Sequence, residues 1–173
     1  FMSIATQVRQ IGRLASHAVA ITRMDVAAGG GLVCAVYEVN TVAPVVVIHV
    51  FDPETDITRR ATVVTGVERP KVAYVNGNFL IAHVVTATQG INITTYVPAT
   101  DLVSAPGVQP VAAGANIVAF DFAPDHEGTG GWLAFCRSDA TSGIRGLDGT
   151  GTANYTATGP AVLGDSISIY VHA

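Results

Sequence analysis

Two short stretches of the sequence share one pattern: FDPETDI at residues 51–57 and YVPATDL at residues 96–102. Both read as an aromatic residue, any residue, Pro, any residue, Thr, Asp and an aliphatic residue, and they lie forty-five positions apart. Each follows a strand-like run, VVVIHV or INITTY, so each predicts a strand that ends in a turn set by Pro and stabilised by Asp or Thr. Their recurrence is the first sign of an internal repeat.

The segments before these motifs repeat as well. Three apolar runs, GLVCAVYEV, NFLIAHVV and GWLAFCRS, start at residues 31, 78 and 131, in a register that aligns Leu32, Phe79 and Trp132. A further short strand precedes each run: HAVAITR, KVAYVNG and NIVAFDF, starting at residues 17, 71 and 116. A fourth instance, SISIYVH, opens at residue 166.

The repeats divide the chain into units at 16–66, 67–114 and 115–165, each with four strands that we call A, B, C and D, and 166–173 is read as the first strand of a further unit. Four-stranded units at this period are typical of β-propeller blades. The predicted fold is therefore all-β, with about three consecutive four-stranded blades of a partial β-propeller. A β-sandwich with Greek-key turns is the alternative, because it uses strands of the same length.

Residues 1–15 have two readings. Ile4, Val8, Ile11 and Leu14 are spaced as on one side of a helix. The same stretch would also serve as the outer D strand of a preceding blade.

The FDPETD ending resembles blades of the YVTN or PQQ type, whose C strands commonly close on a D-P-x-T-G turn. Asp56 and Asp101 stand here where that pattern has Gly. In addition, RPKVAYVNGNFLIAHVV at residues 69–85 is similar to segments of the propeller in tail nozzle proteins of short-tailed bacteriophages. The first resemblance implies a propeller with a ligand or cofactor site in its funnel, and the second implies a virion component.

Composition narrows the function classes. The chain has 173 residues, of which 49% are hydrophobic and 13% charged, so it is expected to fold. Thirteen acids against nine Lys and Arg give a net charge of -4, which disfavours nucleic-acid binding. No apolar run reaches the roughly 18 residues of a membrane helix, so no membrane span is predicted.

Cys34 and Cys136 lie in apolar runs and are expected to be buried thiols, with a disulfide as the alternative.

Acidic residues concentrate in particular turns. In a propeller, A–B and C–D turns emerge on one face, and these predicted turns hold eight of the thirteen acids. Clustered carboxylates raise the local concentration of cations, so we expect this face to meet a cationic protein surface or a divalent ion. The alternative is that the acids are ordinary turn residues. The predicted interaction face comprises Asp25, Asp101, Asp125, Glu127 and Asp148, and the candidate cation ligands, which lack an EF-hand loop, are Asp52, Glu54 and Asp56.

The sequence predicts no catalytic residue and no cofactor. Asp125, His126 and Glu127 are neighbours in a Gly-rich hairpin, which does not hold them in a fixed geometry. His49 and His83 lie within strands and are expected to be hydrogen-bonded there. The chain has no G-x-S-x-G elbow, and neither cysteine has an adjacent base.

These observations predict a non-catalytic structural and interaction module, a partial β-propeller of a larger chain or assembly such as a bacteriophage tail. Its expected partners are the remainder of the same polypeptide or sister subunits, and a cationic protein surface. One alternative is a PQQ-like or glycosidase-like propeller whose site lies in blades outside this sequence. The other is a secreted or periplasmic binding propeller.

Overall fold

The computed structural model describes residues 20–39, 43–105, 107–159 and 167–169. These residues form thirteen strands and no helix. The strands make three antiparallel sheets that follow one another along the chain. The predictions for residues 1–15, and for 166–173 apart from 167–169, lie outside the described residues.

The first sheet is a meander in which each strand pairs with the next. It consists of β1 (Ile21–Gly29), β2 (Leu32–Val39), β3 (Val45–Asp52) and β4 (Ile57–Thr65), in the order β1-β2-β3-β4. The middle strands are buried almost throughout, as their near-continuous apolar sequences require. The edge strand β4 has only exposed and half-buried residues, so solvent reaches this edge of the sheet.

The second sheet repeats this arrangement with a divided outer strand. It consists of β5 (Val67–Val75), β6 (Asn78–Val85), β7 (Ile91–Val97), β8 (Leu102–Val103) and β9 (Val108–Val111). Its order is β5-β6-β7-β8. The short strand β8 pairs with the end of β7, and β9 pairs with the beginning of β7. The intervening sequence, SAPG at 104–107, contains Pro and Gly, which disfavour one continuous strand.

The third sheet again has four strands in sequence order. They are β10 (Ile117–Pro124), β11 (Gly130–Arg137), β12 (Ser142–Asp148) and β13 (Ala153–Thr158). Each first strand in the three sheets carries a shift in its pairing near its beginning, at Ile21/Arg23, Glu68/Lys71 and Ile117/Ala119. The sheets thus share irregularities as well as strand order.

Two A–B turns are tight hairpins. Gly30–Gly31 and Asn76–Gly77 are their central residues, and all four have positive φ. Two-residue hairpins of type I′ require this conformation at both central positions, because its twist matches that of the paired strands. Gly and Asn accept it most readily, which explains these residues in the sequence.

The sheets are held together by two apolar clusters. One lies between the first and second sheets and contains Val36, Ile48, Phe79 and Ile81. The other lies between the second and third sheets and contains Leu80, Ile93, Phe122 and Leu133. The second sheet is therefore covered on both faces, because successive side chains of each strand point to opposite faces.

Phe51 and Tyr96 occupy equivalent positions, as the sequence motif predicts. Phe51 pairs with Val33 between β2 and β3, and Tyr96 pairs with Phe79 between β6 and β7. Each is buried on the face of its own sheet that points away from the next sheet along the chain. The prediction of three consecutive four-stranded blades is confirmed.

The predicted alignment of the B strands is wrong by one residue. Val33, not Leu32, is the equivalent of Phe79. In the third sheet, Gly131 pairs with Leu147 and takes that position instead of Trp132. The B strands are apolar on both faces, so their pattern does not indicate which residue points to which side.

Candidate interaction face and inner cavity

The A–B and C–D turns lie at one end of the sheets. The backbone N–H of Asn76, in the A–B turn of the second sheet, donates to Gly128 O in that of the third at 2.7 Å. The Asn76 side chain also lies against Gly149 in the third C–D turn. We call this end the acidic turn face, because its turns carry Asp52, Glu54, Asp56, Asp101, Asp125, Glu127 and Asp148.

Asp25 does not belong to the acidic turn face, so its predicted place in an A–B loop is wrong. It lies in the middle of β1, where it pairs with Val36. Its Oδ2 accepts a hydrogen bond from the backbone N–H of Val72 in β5 at 2.9 Å. The Gly-rich sequence after it indicated a long loop, but β1 continues to Gly29 and turns within two residues.

Asp52 and Asp148 have the same role at the ends of β3 and β12. Asp52 Oδ1 accepts from the N–H groups of Glu54 and Thr55 at 2.9 and 3.2 Å. Asp148 Oδ1 accepts from Thr150 N and Thr152 N at 2.8 and 3.0 Å. Hydrogen bonds from these turn residues lower the pKa of both carboxyl groups, so they are charged at neutral pH.

Asp56 and Asp101 are the last residues of the first and second C–D turns, and both have a left-handed backbone conformation. Their φ values are 60° and 52°. Gly adopts this region without steric cost, which accounts for Gly at this place in D-P-x-T-G turns. Asp101 Oδ1 accepts a hydrogen bond from the Tyr96 hydroxyl at 2.9 Å. Burial, together with this carboxylate, raises the pKa of Tyr96 to about 12.

The third A–B turn is a longer loop built on Asp125. Its Oδ1 accepts from Thr129 N at 2.8 Å, and its Oδ2 accepts from the Thr129 hydroxyl at 3.1 Å. His126 and Glu127 are exposed, with His126 Nε2 3.7 Å from Glu127 Oε1. Asp125 is thus engaged in holding the turn, whereas Glu127 is open to a partner.

A groove of about 480 Å³ opens on the acidic turn face between the first and second sheets. Its charged lining consists of Asp52, Glu54, Asp101 and Arg59. Arg59 Nη2 lies 3.9 Å from Asp52 Oδ2, at the outer limit of an ion pair. With three carboxylates and one guanidinium in its lining, this groove is acidic.

The described residues contain no group of three or more His, Cys, Asp or Glu side chains placed to hold a metal ion. Asp52 uses Oδ1 to hold its turn, and Glu54 and Asp56 are exposed. Cation binding at Asp52, Glu54 and Asp56 therefore stays a prediction. The binding role of Asp101, Asp125, Glu127 and Asp148 also stays a prediction.

The two strand histidines are buried and hydrogen-bonded. His49 Nε2 lies 3.1 Å from the Thr58 hydroxyl, and His83 Nε2 lies 3.0 Å from the Thr94 hydroxyl. Burial lowers the pKa of both rings, to about 4 for His83, so both are neutral at pH 7. Cys34 and Cys136 are buried in separate sheets with no disulfide between them, and burial raises the pKa of the Cys34 thiol.

The first strands of the three sheets, β1, β5 and β10, lie side by side and enclose a second concavity. We call it the inner cavity; its volume is about 350 Å³. Its lining consists of Arg23, Met24, Arg69, Pro70, Lys71, Val118, Ala119, Phe120 and Ile167. Sequence reasoning missed it because its cations are scattered along the chain. The available signal was that the first strands of successive blades must be neighbours.

Carboxylates hold the cations of the inner cavity in place. Arg23 Nη1 lies 3.1 Å from Glu38 Oε2, and Lys71 Nζ lies 3.0 Å from Asp121 Oδ1. Arg69 Nε lies 3.7 Å from Glu68 Oε1, and Arg69 Nη1 also donates to Ile117 O at 2.8 Å and to Val118 O. Each cation thus has at least one carboxylate partner within 4 Å.

No model of a known protein family matches the sequence, and no curated protein matches it. No helix among the described residues is long and apolar enough to cross a membrane.

Several solved structures share the fold. The acylaminoacyl peptidase of Pyrococcus horikoshii matches with a TM-score of 0.51 at 9% identity, over 82% of this chain and 25% of that one. The β-propeller domain of the Trilobed protease from Pyrococcus furiosus matches with a TM-score of 0.54 at 10% identity, over 82% and 43%. The Dos1 propeller matches with a TM-score of 0.50 at 8% identity, over 81% and 36%. The chain thus spans between a quarter and less than half of these proteins, and it has the fold of consecutive β-propeller blades.

Proposed function

We propose that this chain is a non-catalytic interaction module: a run of propeller blades that packs against further blades of the same polypeptide or of sister subunits. The observation that carries this proposal is the unequal burial of three equivalent isoleucines. Ile48, Ile93 and Ile144 pair with Val36, Ala82 and Ala134 at the same place in the three sheets. Their exposed fractions are 0%, 2% and 42%.

The difference follows from what covers each isoleucine. Ile48 packs into the cluster between the first and second sheets, and Ile93 packs into the cluster between the second and third. Ile144 points to the opposite side of the third sheet from Leu147, which belongs to the second cluster. Complete burial of such a side chain is worth about 1.5–3 kcal/mol. A further sheet on this side would therefore gain what the first two interfaces gain.

The same face of the third sheet carries two aromatic rings. Trp132 and Tyr155 pack edge to face with ring centroids 5.8 Å apart, and Tyr155 is 52% exposed. Trp132 and Ile144 lie on strands β11 and β12, on the side away from the second sheet. Exposed aromatic and aliphatic side chains grouped on one sheet face are typical of an interaction surface.

A hydrogen bond at the inner edge of the third sheet also supports the proposal. Asp121 Oδ2 accepts from the backbone N–H of Ile169 at 2.9 Å. Asp25 and Asp121 are equivalent, since they pair with Val36 and Ala134. Asp25 accepts from Val72 in the first strand of the following sheet. Residue 169 therefore contacts the third sheet as the first strand of a following blade would.

The test is the association state of the 173-residue chain by sedimentation equilibrium. We expect concentration-dependent self-association, because Ile144 and Tyr155 form an exposed apolar patch on this face of the third sheet. Ile144→Lys should reduce this association strongly. Leu102→Lys is the matched control, since Leu102 is 58% exposed but lies at the turn end of the second sheet. A cooperative monomer at all concentrations, or equal effects of both substitutions, would count against the proposal.

As a finer assignment, we propose that the assembly is a bacteriophage tail. The similarity of residues 69–85 to nozzle propeller segments supports this assignment. Genes for portal and capsid proteins beside the gene for this chain would be the expected finding. Their absence, together with a parent gene among metabolic enzymes, would contradict it.

A peptidase-associated propeller is the second candidate. It is favoured by the names of two similar structures, an acylaminoacyl peptidase and the Trilobed protease. In that case the parent polypeptide would contain a peptidase domain in addition to the blades. Peptidase activity in the complete polypeptide, absent from the 173 residues alone, would favour this candidate over the tail assembly.

A further inference from the structure

We propose that the inner cavity binds a small organic anion, in which a carboxylate or phosphate group is attached to an apolar body. All the charged side chains that line the cavity are cations: Arg23, Arg69 and Lys71. This is unexpected for a chain whose net charge is -4. Each of these cations has a carboxylate partner, Glu38, Glu68 or Asp121, but none of the three carboxylates lines the cavity. A concave site lined by one sign of charge concentrates ligands of the opposite sign.

The cations keep hydrogen-bond donors for a ligand. Of the three nitrogens of Arg23, only Nη1 makes a hydrogen bond within the described residues. The ammonium of Lys71 has three donors, and Asp121 occupies one of them. Glu38 and Asp121 do not line the cavity. The donors of Arg23 and Lys71 that these carboxylates do not use are left for an anion, which accepts charge-assisted hydrogen bonds.

The backbone at Arg69 supports a binding role. Its φ of 55° is a conformation that side-chain-bearing residues rarely adopt. Three hydrogen bonds hold it: the Arg69 N–H donates to Glu38 Oε2 at 2.7 Å, and its guanidinium donates to Ile117 O and to Val118 O. Strained residues that the surroundings hold firmly tend to occur at ligand sites.

The rest of the lining indicates that the ligand also has an apolar part. Apolar side chains complete the wall of the cavity: Met24, Pro70, Val118, Ala119, Phe120 and Ile167. A bare inorganic anion would leave this apolar surface in contact with water. A ligand with an apolar body would cover it and add the hydrophobic contribution to the ion pairs.

Isothermal titration calorimetry with benzoate and with phenyl phosphate tests the proposal on the 173-residue chain. We expect at least one of them to bind, and the tighter of the two identifies the anionic group. Lys71→Gln should weaken binding by about tenfold, which corresponds to ~1.4 kcal/mol. Arg60→Gln is the matched control, because it removes the same charge from β4, outside the cavity lining. Equal affinities in the two variants, or no binding of either anion to the wild type, would overturn the proposal.

Two further measurements separate binding from folding. Lys71→Arg keeps the charge and should keep the affinity, even if Lys71→Gln alters the contact with Asp121. In the wild type, amide NMR shifts on adding the anion should concentrate at residues 23–24, 69, 71 and 118–120. Shifts spread over all arginines would instead indicate unspecific charge pairing and contradict the site. The Ile144→Lys variant should bind the anion as the wild type does, because Ile144 does not line the cavity. The anion test therefore does not depend on the proposed assembly.

Discussion

The carboxylate of Glu38 in β2 accepts a hydrogen bond from the backbone N–H of Arg69 in β5 at 2.7 Å, so one buried side chain joins the first sheet to the second. The same carboxylate accepts from the Thr22 hydroxyl at 2.6 Å and from the Arg23 guanidinium at 3.1 Å. Burial alone would raise the pKa of Glu38. The hydrogen bonds from Thr22, Arg69 and Arg23 outweigh it and lower the pKa below the ordinary value.

Glu38→Gln should destabilise the chain by about 1–3 kcal/mol, because it replaces a charged acceptor of several hydrogen bonds with a neutral amide. Urea unfolding followed by circular dichroism measures the change. Glu54→Gln is the control, since Glu54 is exposed in the first C–D turn. Equal stability of the Glu38 variant and the wild type would show that this link between sheets is not needed.

The stability contributed by Glu38 should depend on pH. The pKa of Glu38 is lower in the folded chain than in the unfolded chain. The contribution of Glu38 to stability is therefore fully present above its unfolded pKa, and it is lost as the pH falls through its folded pKa. The free energy of unfolding of the wild type should therefore fall below about pH 4, near the ordinary pKa of Glu. Glu38→Gln should show a smaller fall over the same range. An identical pH profile in the two proteins would contradict this assignment.

His83 should impose a second pH dependence at higher pH. Burial lowers its pKa from 6.5 to about 4, so the unfolded chain takes up the proton first as the pH falls. Stability should therefore decrease between pH 6.5 and about 4, by an amount of the order of a few kcal/mol. His83→Leu should make this decrease smaller, and the lowered pKa of His49 should account for part of what is left. His126→Leu should leave the decrease unchanged, because His126 is exposed.

Asp56 and Asp101 offer a matched pair of glycine substitutions. Asp56→Gly should stabilise the chain by up to about 1 kcal/mol, because it relieves a left-handed conformation at an exposed position. Asp101→Gly should gain less, since it also removes the acceptor for the Tyr96 hydroxyl. Thermal unfolding of the two variants checks the order. A larger gain for Asp101→Gly would show that this hydrogen bond contributes nothing.

The fold was predictable where turn chemistry recurs. The motif at residues 51–57 and 96–102 places Phe51 and Tyr96 correctly, and the same spacing relates Ile48 to Ile93. The B-strand register was not predictable, because residues on both faces of β2 and β6 are apolar and buried. Alternation identifies a face only when the other face is polar.

The acidic turn face was predictable in part. Its turn residues follow from the strand order, whereas Asp25 is found in β1 because Gly30 and Gly31 close the hairpin more tightly than the Gly-rich sequence indicated. The inner cavity was not predictable from local patterns. It brings Arg23 together with Lys71 only through the packing of the first strands of two sheets.

The most direct test of the stacked-blade arrangement is a set of methyl NOEs from the three equivalent isoleucines. Ile48 should show NOEs to Phe79 and Ile81 in β6, and Ile93 should show NOEs to side chains of the third sheet such as Leu133, because each pair shares a cluster. Ile144 should show no NOE to the second sheet. NOEs from Ile144 to β6 or β7, or none between Ile48 and β6, would contradict the account.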